Sequence, residues 1–592
     1  MDSSIKNFVN SINNKYFKIK GMHEFGKYNN IQLEWHKKKA AGLITNYIIE
    51  QLKFGNILYY YVHLSKRNLI KSLLLYYNES DRNILNTCDF TDSNFLEKLT
   101  ENCNNLELTN LYYMLMLQIG SVYTFEDNLD EIIKETNNKC DYILNNINKY
   151  NNLIINDLNK YISINNLTGT HVFQYAYMGK NNKDLLIKIS NVHRKLCPII
   201  NYKSEININL NKNRKINVGF FSNFLKKQHS VCKDRSGIVS NLDRENYNVS
   251  YITFQENYEE ILANKLKNNT DPKENIVLSY TDHKKNIEII ESLKLDILIY
   301  CEIGMDPLNY MYASMRLAPI QCTTWGHSYT SGIDTIDYYL SSKLYESGDI
   351  SEAQSHYSEK LILFDTLNTY YYDPIINFEP NENLLNEYIN IDFTKNVYGC
   401  LQSPYKLSKD FDIILKKILE KDNEAIILLS DIDKVAFKRI LIPRFEKTIG
   451  KEYLNRIYFI PNLRNDIYLT LMSKCDVHIE TYPFGSCNSS MDAIRLGKPV
   501  ITYPSDYLSG RFTYGFYLKM GITDLIAHNI DDFVEKSIKA CRDKGWIDPI
   551  CKLIKEKSDK LIEDTESVEE YNIKLRELFE YYLDNKENMK NI

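Results

Sequence analysis

The 592-residue chain reads as an α/β protein in which two doubly wound, Rossmann-like domains follow an all-helical N-terminal domain. Three observations predict this. Up to Pro198, the first proline, apolar residues recur at spacings of three and four, as in Ala41, Ile44, Tyr47, Ile48 and Leu52, which is the period of amphipathic helices. From Lys215 the texture changes, and short β-branched runs alternate with helical stretches. The alternation then begins afresh near Val397, and two such series imply two parallel sheets. The expected boundaries are 1–205 for the helical domain, 212–385 for the first sheet domain, and 393–592 for the second with its C-terminal helices.

In the front domain the helical period returns in Leu111, Met114, Leu115 and Ile119, but no repeat of about 34 residues is visible, so a docking domain for an acceptor or partner is expected rather than a regular solenoid. The first alternating series opens with INVGFFS at 216–222 and a polar loop. It continues through a helix-like SGIVSNLD, the strand NVSYITF, LDILIYC at 295–301, the helical NYMYASMRLA, the strand PIQCTTWG and IDYYLSS. A polar region around 370–392 separates it from the second series, VYGCL, EAIILLS, RIYFIP, CDVHIETYPF and PVITYP. The strand within CDVHIETYPF is expected to end at Tyr482, and the charged stretch from Asp531 to about Asn585 to supply helices that close the second domain. Any ligand belongs in the cleft at the carboxyl ends of the strands.

Composition narrows the function classes. Lys and Arg total 72 against 77 Asp and Glu, and a net charge of -5 offers no general attraction to nucleic acid. The 12 cysteines are scattered, with no C-x-x-C pair and no histidines at zinc spacing, so reduced thiols are expected rather than a disulfide framework or a structural zinc. The N-terminal MDSSIKNFVNSINNKYFK lacks the apolar core of a secretory signal, and the apolar stretch from Leu111 to Tyr123 is too short to span a bilayer. A cytoplasmic protein without membrane insertion is expected, its oligomeric state left open.

Residues 479–504, IETYPFGSCNSSMDAIRLGKPVITYP, carry the strongest chemical signal. A loop with Pro483, Gly485 and Asn488 leads into a helix starting near Ser489, so free amides and a positive helix end are offered to an anion. Asn488 and Ser489 would meet a pyrophosphate and Asp492 the ribose hydroxyls. The same letters also match a capping box in which Asp492 merely ties down its own helix. In LQSPYKLSKDF, at 401–411, Lys406 sits between a strand and a helix where it can neutralise a leaving diphosphate, with Gln402 in the same turn. His229, in KKQHSV, and His327, in TTWGHSYTSG, follow two strands of the first sheet. Each is either a neutral imidazole facing sugar or acceptor, or a loop histidine satisfied by backbone groups. Asp431-Ile432-Asp433 reads as a loop and helix cap rather than a metal pair. No P-loop, G-x-S-x-G elbow or G-x-G-x-x-G fingerprint occurs.

These residues resemble glycosyltransferase family 41, the O-GlcNAc transferase and SPINDLY-like enzymes, and resemble more closely its bacterial adhesin-type N-glucosyltransferases. The likeness rests on MRLAPIQCTTWGHSYTSGIDTIDYYLSS at 315–342, on HYSEKLILFD at 356–365 and on YPFGSCNSSMD, and covers about 212–580. It implies a GT-B fold and an inverting, metal-independent transfer of a sugar from a UDP-sugar to Asn or Ser/Thr of a protein acceptor, with no cofactor beyond the donor. On that match Asn488 and Asp492 bind the donor with Gly485 and Ser489 in the same loop, and Gln402 and Lys406 meet it from the facing turn. His229 lies near sugar and acceptor, and Tyr468 places its ring over or near the uracil. Cys487 stands where O-GlcNAc transferases carry a histidine, which leans toward a hexose donor such as UDP-glucose. The rivals are an O-GlcNAc or O-fucose type transfer to Ser/Thr, a non-catalytic scaffold that keeps the fold, and a UDP-sugar epimerase, which would want paired carboxylates that these loops do not supply.

Overall fold

The computed structural model describes residues 129–589 except 146, 148–153, 160, 162–171, 206–208, 228, 259–260, 376–377 and 432–435. Most of the expected helical domain, and Asp433 of the D-x-D pair, therefore lie outside the described residues. So does nearly all of a unit formed by Met1–Gln118, Ser163–Gly169 and Asp433–Ile440; both sheets belong to the other unit of the chain.

Seven strands build the first sheet: β1 Ile216–Phe221, β2 Tyr247–Thr253, β3 Asn275–Val277, β4 Ile297–Tyr300, β5 Ile320–Thr324, β6 Tyr338–Ser342 and β7 Lys360–Phe364. Their order is β3-β2-β1-β4-β5-β6-β7 and every pairing is parallel. Five strands build the second: β8 Asn396–Cys400, β9 Ala425–Asp431, β10 Ile457–Pro461, β11 Val477–Ile479 and β12 Val500–Ile501, in the order β10-β9-β8-β11-β12, again all parallel. The sequence supports this because the central strands are continuous apolar runs, such as Ile297–Tyr300, buried on both faces. In each sheet the order reverses beside the first strand, between β1 and β4 and between β8 and β11. That reversal opens a crevice at the carboxyl ends of those strands.

The helices that return the chain are started by side-chain caps. Asp306 accepts from the amides of Leu308 and Asn309 ahead of the helix Pro307–Ala313, and Ser408 accepts from Phe411 ahead of Lys409–Lys421. The edge strand β3 and the strand β7 add to those read from the sequence.

Two expectations need correction. β11 stops at Ile479 rather than Tyr482, because its neighbour β12 is only two residues long and the last ladder bond runs from the Glu480 amide to Ile501 O at 3.1 Å. Three further residues thereby join the loop. The last helix, Thr565–Met589, does not close the second domain. Its apolar stripe of Val568, Tyr571, Leu575, Leu578 and Phe579 is buried in the core of the first sheet with Ile216, Val218, Ile299 and Leu340. Glu570 from this helix accepts the amides of Asp365 at 2.7 Å and Thr366 at 2.9 Å. The two domains also meet where Phe512 packs on Trp325 and Tyr345, with ring centroids 4.8 and 5.1 Å apart.

Candidate active site

The loops at the second switch point carry most of the expected donor residues. After β8, the turn Pro404–Lys406 brings the Lys406 ammonium to Gly485 O at 2.6 Å and to 4.7 Å from the centre of the Phe484 ring. No carboxylate is within salt-bridging distance of it among the described residues. Burial pushes its pKa down to about 8, opposed by the field of Glu480. A half-buried cation whose hydrogen bond among the described residues goes to a carbonyl is poised for an incoming anion.

After β11 the loop Glu480–Cys487 turns the chain into the helix Asn488–Arg495 through a cis Tyr482–Pro483 bond. Glu480 is buried and accepts hydrogen bonds from the Ser486 amide and, at 2.7 Å, from Thr513 Oγ1. Burial raises its carboxyl to about 7. It also explains Gly485, since a Cβ there would stand 2.6 Å from Glu480 Oε1. The helix begins at Asn488 behind Cys487, which supplies no side-chain cap, while Ser486 Oγ accepts from the Ser490 amide at 3.0 Å and lies 2.6 Å from Ser489 Oγ. Among the described residues the first-turn amides of Asn488 and Ser489 have no backbone acceptor, and the Asn488 Oδ1 is buried without a partner.

The capping box does not form. Asp492 is buried in the second turn and faces Lys233 Nζ at 3.8 Å, a lysine from the helix Ser230–Asn241 of the first sheet, so the pair crosses the cleft. Burial raises the Asp492 carboxyl and Lys233 lowers it. Tyr468, half-buried on the helix Asn465–Lys474, reaches Leu401 O at 3.5 Å, and its phenol is pushed up by burial and by Asp492. Gln402 ties the turn after β8 to the end of β11, donating to Ile479 O at 3.4 Å and accepting from Thr481 Oγ1 at 3.0 Å. Gln402, Lys406, Tyr468, Gly485, Asn488, Ser489 and Asp492 thus gather around one crevice.

The histidines are placed differently. His229 stands before the helix Ser230–Asn241, its Nδ1 accepting from the Val231 amide at 3.3 Å and its ring stacked on Phe224 at 4.0 Å. Burial and Lys227 lower its pKa to about 4, so the ring is neutral and that bond assigns its proton to Nε2. His327 is buried, and its Nε2 donates to Phe173 O at 3.2 Å. The sequence reading missed Glu480, Lys233, Thr513 and the front segment around Phe173. Only Glu480 left a signal, a carboxylate directly after an apolar strand.

With this geometry in place, comparison with known proteins is informative. No family model matches the chain. It is 26% identical over 265 residues to the UDP-glucose:protein N-beta-glucosyltransferase of Actinobacillus pleuropneumoniae serotype 7, a match covering 43% of this chain and 40% of that protein. It is 22% identical over 268 residues to the probable UDP-N-acetylglucosamine–peptide N-acetylglucosaminyltransferase SPINDLY of Arabidopsis thaliana, covering 44% and 28%. The match thus spans less than half the length of the curated relatives. The fold is that of an O-GlcNAc transferase of Thermobaculum terrenum, with a TM-score of 0.57 at 15% identity over 92% of this chain and 99% of that one. Over the matched residues the chain is similar to these protein glycosyltransferases. The GT-B architecture expected from the family 41 resemblance agrees with the two parallel sheets and with this fold match. Among the described residues no helix is long and apolar enough to cross a membrane.

Proposed function

We propose that this chain, as its resemblance to family 41 implies, transfers a hexose, with UDP-glucose favoured, from a UDP-sugar to Asn or Ser/Thr of a protein acceptor, with inversion and without a metal. The observation that carries the reading is the half-buried Lys406 ammonium, without a carboxylate partner among the described residues and set against the open amides at the start of the helix Asn488–Arg495. In this reading the diphosphate lies between them. The acceptor nitrogen or oxygen attacks the anomeric carbon from the face opposite UDP, the glycosidic bond breaks, its electron pair leaves on the β-phosphate, and the acceptor's proton passes to the departing phosphate or to water. Lys406 and the helix end stabilise that growing charge, a task a divalent cation performs in other sites. Asp492 and Tyr468 hold ribose and base, with Gln402 bracing the turn.

His229 offers Nε2–H as a donor to a sugar or acceptor hydroxyl. Acting as base would require it to exchange tautomers and give up the Val231 amide, so its role here is positioning. The helical region ahead of the sheets would dock the polypeptide, and the free cysteines among the described residues fit a cytoplasmic setting. The curated relatives support both sugar donors, UDP-glucose and UDP-N-acetylglucosamine, each in its own protein's name. Cys487 in the donor loop favours the first.

The test is to incubate the chain with Asn- and Ser-containing peptides and a panel of UDP- and GDP-sugars, and to read mass shifts. A hexose increment with UDP-glucose is expected. Transfer from UDP-N-acetylglucosamine and none from UDP-glucose overturns the sugar; no shift with any donor overturns the reaction.

A further inference from the structure

The segment Val172–Met178 touches both sides of the cleft. At its start, Phe173 O receives the His327 Nε2–H, and the two rings lie 5.5 Å apart, in the loop after β5 of the first sheet. At its end, Tyr177 is buried and stacks on Phe484 with centroids 4.3 Å apart and planes at 20°. Tyr177 also lies 6.2 Å from Tyr405, the residue before Lys406. Both donor-side loops are therefore met by one side chain from outside the two sheets.

The fit continues beyond the ring. Gly179 adopts φ 61°, and a Cβ at that position would overlap the Pro483 ring, so only a glycine allows this approach. Beyond it the Tyr329 hydroxyl donates to Lys180 O and accepts from the Asn182 amide at 2.7 Å, pinning the exit of the segment to the first sheet. Phe484 is the ring beneath the Lys406 ammonium, and Gly485 O beside it is that ammonium's acceptor.

We propose that Val172–Gly179 is part of the active site and that Tyr177 is a positioning residue, holding Phe484 and through it the Lys406 ammonium where the leaving diphosphate is met. The inference rests on the transfer reaction proposed above. The physical reason is that the loop Glu480–Cys487 leaves the ladder after Glu480: its backbone is held by Thr481 Oγ1 on Phe484 O at 2.7 Å and by the Gly485 amide on Ser509 O at 2.9 Å, while the Phe484 ring itself is packed by Tyr177. A misplaced ammonium weakens the interaction most where charge grows, in the transition state rather than the bound donor.

The experiment uses the full chain with Tyr177→Ala, Tyr177→Phe and Gly179→Ala, comparing UDP affinity by calorimetry, kcat and donor KM, and the pH profile of kcat/KM. Tyr177→Ala is expected to lower kcat about tenfold or more with donor KM changed less than about threefold. It should also move the alkaline limb to higher pH as Lys406 becomes hydrated among its titratable neighbours Glu480, Cys487 and Cys400. Tyr177→Phe should restore all three. Gly179→Ala, which keeps Tyr177 but forces the segment from Pro483, should reproduce the alanine signature and decides the matter if Tyr177→Ala does not fold. Wild-type kcat and an unmoved limb in Tyr177→Ala or Gly179→Ala, or equal losses in the alanine and phenylalanine variants, overturn the proposal. If the unsubstituted chain binds UDP but transfers no sugar, the reaction reading fails alone. Tyr177 is then read from UDP affinity, lowered in the alanine variant if the proposal holds and unchanged if it does not. No UDP binding overturns both.

Discussion

On the second-sheet side of the cleft the cationic and amide donors are left available, whereas on the facing side each histidine already holds a backbone group. Lys406 is a half-buried cation hydrogen-bonded to Gly485 O, and Cys487 supplies no side-chain cap to the helix behind it. Across the cleft, His229 accepts from the Val231 amide and His327 donates to Phe173 O. The difference teaches where charge can be supplied during a reaction. A neutral imidazole bound to backbone can orient a substrate, but a desolvated ammonium facing open amides can stabilise a developing dianion.

The largest effect expected from breaking this contrast is at Lys406. Lys406→Ala removes the half-buried cation and should cut turnover by about 10³-fold, as loss of a single preorganised charge-stabilising donor does, with the thermal midpoint not lowered. Retained turnover would mean that the helix end alone carries the diphosphate. The same group sets a pH dependence. The cation is the active form and burial places its pKa near 8, so kcat/KM should be flat below that value and fall as pH rises through about 8. A bound diphosphate favours the charged form, so the limb in kcat should lie at higher pH. A kcat/KM profile still rising at pH 9 would exclude Lys406 as the essential cation.

Glu480 sharpens the comparison from beneath. Its carboxylate raises the Lys406 pKa against burial and holds the Ser486 amide and Thr513 Oγ1. Glu480→Gln keeps the shape and removes the charge, so Lys406 should lose its proton more easily. The expected outcome is an alkaline limb of kcat/KM shifted to lower pH by up to about one unit, with kcat/KM several-fold lower at pH 7.5. A limb that stays in place would reduce Glu480 to loop structure.

Much of this was legible before the fold was seen, and the limits have physical causes. Lys406 could be found because a lysine between a strand and a helix has few places to go in a doubly wound sheet. The alternation of strands and helices likewise carried through to two sheets of the expected kind. Glu480 was hidden because HIETY is good strand sequence, and pairing stopped at Ile479 only because β12 is two residues long. That Asp492 is no cap could not be read locally, since the helix starts at Asn488 behind Cys487 and the carboxylate faces Lys233 from the other sheet. Similarly, the stripe Val568, Tyr571, Leu575 and Phe579 announced a buried face, but nothing in its spacing says that the face belongs to the first sheet. Long-range partners decide such matters, and periodicity carries no information about them.

The smallest effect is expected at His229, and it tests the other half of the comparison. His229→Asn keeps a side-chain acceptor at the helix start, where asparagine caps as well as any residue, so stability should change by less than about 1 kcal/mol. What is lost is the Nε2–H donor and the stack on Phe224. If His229 only orients sugar or acceptor, the variant should lose about tenfold or less in kcat/KM, and its pH profile should keep the same alkaline limb. A drop comparable with that of Lys406→Ala would show that the imidazole removes the acceptor proton. That outcome would require the Val231 amide to be released during the reaction, and the cleft would then be active chemically on both sides rather than on one.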